Sequence, residues 1–211
     1  MIRNSFIALL CALGLFLPGC AGLLDPGPPV SNVILPVQMP GSSSADRLPE
    51  QILVFRPAVD RVTGTDRILA LMNGFEVKAL DSARWVDRVP QMVQRQLVDA
   101  LESTRRFSAV GWEESILDAT IRLSTDIRRF YLRYDEPGRN PTVDVLLVFA
   151  LIDPETGTTL ARRLARAEEL CAGNSLKDFV TAFSQAMTKV LAETTQWVIE
   201  VAESRQTPSK K

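Results

Sequence analysis

The sequence contains no histidine, which removes both the commonest general base and the commonest metal ligand. No Ser-His-Asp or Cys-His arrangement can be assembled, and no zinc site built on imidazole. Cysteine is nearly as scarce, with three in 211 residues: Cys11, Cys20 and Cys171. There is no glycine-rich phosphate loop, and Gly41-Ser42-Ser43-Ser44 reads as linker rather than nucleophile elbow. Lysine supplies only five of the 24 basic residues, a pattern that fits a coding preference for arginine better than a dedicated anion site. With 25 acidic residues the net charge is −1, which gives no basic footprint for nucleic acid. The N-terminal apolar run, residues 6–17, is about a dozen residues against the roughly 20 that a membrane-spanning helix needs. Carboxylates such as Asp135 and Glu136, beside Pro137-Gly138, read as solvated turn residues, and a hydrolase using carboxylates alone would need a facing pair. Catalysis, a metal and a non-covalent cofactor are therefore not expected.

The first residues carry one charge, Arg3, then the apolar run, then Pro18-Gly19-Cys20. A basic start, a short apolar stretch and a small residue at the cut describe a secretory signal. Leu17-Pro18-Gly19-Cys20 resembles the bacterial lipobox, in which the cysteine receives lipid after cleavage. The resemblance implies removal of residues 1–19 and acyl chains, palmitate among them, on Cys20. Ala21 rather than Asp follows, which in that pattern implies the outer membrane. Loss of Arg3 would take the net charge from −1 to −2. Cys11 would leave with the signal and Cys20 would be acylated, so Cys171 would stand alone with no disulfide partner. It is expected as a small buried hydrophobe.

Residues 20–50 are rich in Pro, Gly and Ser and read as a lipidated tether containing one short edge strand, Ser31–Leu35, before Pro36. The globular domain is expected over 51–203. Ile52-Leu53-Val54-Phe55 has the continuous apolar character of a strand buried on both faces. Asn73-Gly74 between apolar runs is a strong hairpin signal. Over residues 88–104 the period becomes helical, with Val89, Val93, Leu97, Ala100 and Leu101 on one face and Gln91, Gln94, Arg95 and Glu102 off it. Asp87 is placed to cap this helix and Pro90 suits its first turn, while Trp85 just before it reads as a core anchor. A short strand follows at 107–110.

Residues 119–134 form a long strand whose alternation changes phase. Ile121, Leu123 and Ile127 are apolar at odd positions, whereas Phe130, Leu132 and Tyr134 are apolar at even ones. A bulge is expected near Arg128-Arg129. If the second set leaves the core face, Phe130, Leu132 and Tyr134 form a contact for another copy or a partner. Residues 142–152 read as a central strand with Val143, Val145, Leu147, Phe149 and Leu151 inward. Residues 158–170 are read as a third meander strand despite good helix propensity. Ser175 and Asp178 open a terminal helix of about 27 residues, and 204–211 is a polar tail. The fold class is α+β: a mixed, largely antiparallel sheet with two main helices packed on one face.

This order of elements resembles the ABC-type transport auxiliary lipoprotein family, which includes the lipoprotein of the paraquat-inducible operon. The match rests on the lipobox cysteine, Ile52-Leu53-Val54, the Asn73-Gly74 hairpin, Trp85 before a helix opening with Pro90, the strand ending at Phe130 and a last helix closing on Trp197. The resemblance implies an outer-membrane docking component for a transporter that pairs an ABC system with MCE-domain proteins and moves lipids between the envelope membranes. Another envelope lipoprotein, serving outer-membrane or lipopolysaccharide assembly, is the competing reading.

Overall fold

A computed structural model describes residues 29–112, 118–136 and 138–206. The elements run β1 (Ser31–Val33), β2 (Leu48–Val54), β3 (Ala58–Val59), β4 (Arg67–Met72), β5 (Glu76–Trp85), α1 (Val89–Ser103), β6 (Phe107–Gly111), β7 (Ile121–Tyr134), β8 (Thr142–Ile152), β9 (Thr159–Leu170) and α2 (Leu176–Gln206). The fold is α+β, with nine strands in one mixed sheet and two helices among the described residues.

The long strand β7 organises the sheet. Along one side it pairs antiparallel with β8, which pairs antiparallel with β9, so the most apolar strand is flanked on both sides. Along its other side β7 takes three parallel partners in turn: β2 at Ile121 to Leu123, β3 at Asp126 and Ile127, and β4 at Leu132 to Tyr134. β6 lies beyond β2, and β5 then β1 lie beyond β4. The antiparallel ladders are the longer ones, while the parallel pairings are short.

Local chemistry explains the connections. Asn73 and Gly74 both adopt positive φ, 53° and 78°, as the tight hairpin turn requires, and the Phe75 N–H donates to the Met72 carbonyl at 3.2 Å. At α1 the expected cap does not form: Arg88 occupies the cap position without a side-chain bond. The Val89 N–H instead finds the Thr65 carbonyl at 3.0 Å, and Asp87 pairs with Arg95 at 3.8 Å. Gln94, expected on the polar side, is buried and donates to the Val54 carbonyl at 3.0 Å, which satisfies it inside the core. At α2 the reciprocal cap is complete, with Asp178 N–H donating to Ser175 Oγ at 3.2 Å and Ser175 N–H donating to Asp178 Oδ2 at 3.1 Å.

The last helix runs past the expected start of the tail. Its final turns are held by Arg106, which donates to Glu203 at 2.7 Å, and by Gln206, which donates to Glu50 at 2.6 Å. These long-range bonds fasten residues that composition alone reads as solvated.

One continuous core unites the helices with one face of the sheet. At its centre Trp85, Phe130 and Phe183 form a cluster, with ring centroids 6.2 Å apart for Trp85–Phe130, 5.3 Å for Trp85–Phe183 and 5.0 Å for Phe130–Phe183. Burial of each such side chain contributes about 1.5–3 kcal/mol.

Candidate functional site

Cys20 lies outside the described residues. Phe130, Leu132 and Tyr134 do not form an exposed contact. Phe130 and Leu132 are fully buried, and Tyr134 is part-buried against the same core. The expected bulge is present, with the β7–β8 register shifting between Ile127 and Arg129. The bulge itself is the physical reason for the correction. One extra residue at Arg128 reverses the side-chain phase at the point where the sequence alternation reverses, and the two changes cancel. Ile121, Leu123, Ile127, Phe130 and Leu132 all stay on the helix-covered face.

The opposite face carries the alternate residues, and cross-strand register fixes its layout. Asp126, Val148 and Leu164 share one row; Arg129, Leu146 and Arg166 the next; Tyr131, Asp144 and Glu168 the one after. Leu146 and Val148 are half-buried, while Leu164 is 57% exposed. An apolar strip therefore lies between arginines: Arg162 and Ser124 flank it on one side, Arg129 and Arg166 on the other.

Asp144 is the single charged residue of β8 and is fully buried beneath three guanidinium groups. Its Oδ2 accepts from Arg133 at 2.9 Å and from Arg129 and Arg166 at 3.0 Å each. Glu168 Oε1 accepts from Arg133 at 2.6 Å and Arg166 at 2.9 Å, and Asp135 accepts from Arg133 at 2.8 Å. Burial alone would raise the Asp144 carboxyl, but hydrogen bonds from Arg166 and Arg129 outweigh it and hold the group below the usual carboxylate range. A carboxyl held ionised in this way is a poor proton donor near neutral pH, so Asp144 fits a structural clamp rather than a general acid. The neighbouring Tyr131 hydroxyl is pushed up, chiefly by burial.

Composition and motifs do not reveal this face, although a signal is present: one Asp in an otherwise apolar strand, and four arginines along β7. Near the other end of the face a groove of about 900 Å³ is lined by Leu53, Phe55, Arg122, Asp153 and Arg205 among others. There the Arg122 guanidinium stands 5.7 Å from the Phe55 ring centre, a cation–π contact. Cys171 is fully buried and its thiol is pushed up to about 11, first by burial and then by Asp178, so it is held protonated.

These features describe a folded domain with a clamped, partly apolar sheet face. Among the described residues no helix is long and apolar enough to cross a membrane. The model of the ABC-type transport auxiliary lipoprotein component family matches residues 34–194, and the chain belongs to that family. Its fold is similar to that of a Xanthomonas campestris protein, with a TM-score of 0.77 and 22% identity over 84% of this chain and all of that one. An uncharacterised protein gives a TM-score of 0.64 and 15% identity over 81% of this chain and 99% of that one. A hypothetical protein from Chlamydia trachomatis gives 0.53 and 10% identity, covering 74% of this chain and 99% of that one. A search of curated proteins gives no match.

Proposed function

We propose that the chain acts as an outer-membrane-anchored docking component of an ABC transporter that works with an MCE-domain protein to move lipids between the envelope membranes. The family match over residues 34–194 carries this reading. The lipobox-like Cys20 supports it. Pro29, the first described residue, follows Cys20 by nine positions, so a lipid on that cysteine would hold Pro29 within about 30 Å. Two or more acyl chains suffice for stable attachment.

On this reading the helix-free face meets the transporter side, because it is the part of the sheet where apolar groups stand half-covered within a frame of fixed charge. The experiment combines Cys20→Ser, followed by membrane fractionation and lipid labelling, with Leu164→Asp, followed by transport of labelled phospholipid between the membranes. The first should release the domain and abolish labelling. The second should lower transport severalfold while folding and anchoring persist. Full transport by both variants would contradict the docking role. A defect confined to lipopolysaccharide insertion would favour the assembly reading.

A further inference from the structure

β9 forms one edge of the sheet. It pairs with β8 alone, so over 12 residues one side of its backbone has no strand partner among the described residues. Edges of this length are ordinarily guarded by charged side chains of one sign, lysine above all, by proline or by a central bulge. β9 has no lysine or proline, and its one register shift lies at its first residues. It also carries two of the most exposed leucines, Leu164 at 57% and Leu170 at 70%.

The charges along this edge are ordered. Arg162, Arg163 and Arg166 occupy the first part, and Glu168 and Glu169 the end. An antiparallel second copy would reverse that order and bring Arg162 and Arg163 toward the second copy's Glu168 and Glu169. With Ala165 facing the second copy's Ala165, Arg162 meets the second copy's Glu168. Arg163 lies diagonal to the second copy's Glu169. Leu164 lies against the stem of the second copy's Arg166. Directly opposed side chains in such a ladder sit about 4.5–5.5 Å apart at Cβ. The groups are available for this exchange. Arg162 makes no ion pair among the described residues, and both intramolecular bonds to Glu168 end on Oε1, leaving Oε2 for a guanidinium from outside.

We propose that two copies of this chain join through antiparallel pairing of β9 with β9, centred on Ala165, to form one continuous sheet. The pairing is independent of what is transported and of the docking role proposed above. The second copy is preferred to a strand from another protein because the charge order of the edge is complementary to itself.

The test uses the full chain extracted from membranes. One preparation carries Arg162→Cys, another Glu168→Cys, and the two are mixed and mildly oxidised. The mixture should yield a disulfide-linked pair, while each variant alone links no more than the parent, since identical positions lie about 20 Å apart across the centre. Ala161→Cys with Glu169→Cys gives a second pair that leaves the Asp144 network intact. Linkage in both mixtures supports the proposal. Failure of both mixtures, equal linkage in the single variants, or a monomeric parent by light scattering would overturn it. The disulfide readout involves neither transport nor capture of a transporter component, which separates the pairing from the docking role.

Discussion

Ile127 and Phe130 stand three residues apart on one strand, yet both point into the same core. In an unbroken strand that spacing would place them on opposite faces. The bulge at Arg128 makes the difference, and it is why the hairpin end of β7 belongs to the core.

Substitution of Leu132 and Tyr134 together by Ser should therefore be severe. Loss of the fully buried Leu132 side chain dominates, and the expected cost is about 3–5 kcal/mol. Urea unfolding of the double variant checks it. Near-normal stability would mean that this end of the strand is surface.

The layout of the domain was legible in its alternation. Ile52 to Val54 read as a buried strand, Asn73-Gly74 as a turn and residues 158–170 as a third meander strand, and all three stand in the structure. The bulge was legible too, but its consequence was not. A change of phase in sequence has two physical outcomes, a change of face or a compensating bulge, and only long-range pairing decides between them. The Asp144 clamp was hidden for a similar reason: its partners come from positions 129, 133 and 166, which the sequence does not bring together. Asp87 and Gln94 misled because their surroundings are set by Arg95 and by the Val54 carbonyl. The Cys20 attachment stands as a sequence inference.

Asp144→Asn removes the charge that three arginines share. The expected loss is about 2 kcal/mol, less than for a wholly buried pair because the arginines are partly solvated. The pH dependence has a definite sign. The folded carboxyl lies below its ordinary value, so its contribution is present above about pH 4 and is lost as pH falls through the folded value. Thermal melts of the parent should therefore drop on acidification below about pH 4, and the drop should be smaller in Asp144→Asn. Equal acid sensitivity in both proteins would remove Asp144 from the account.

Cys171 should be inert in the folded chain. A thiol raised to about 11 and fully buried presents almost no thiolate at pH 8. Iodoacetamide should label it only after unfolding, and Cys171→Ala should keep transport. Its stabilising contribution is present below about pH 9 and lost as pH rises through about 11. Rapid labelling of the native protein, or loss of transport in a folded and anchored Cys171→Ala variant, would reveal a chemical role.

The central claim is that this anchored domain docks to a transport complex, and affinity capture from detergent-solubilised envelopes tests it most directly. A tagged full-length chain should bring down an ABC-transporter subunit and an MCE-domain protein, identified by mass spectrometry. The amount should fall at least severalfold with Leu164→Asp and remain unchanged with Cys171→Ala. Capture of neither component, with the tagged chain folded and membrane-bound, would contradict the account.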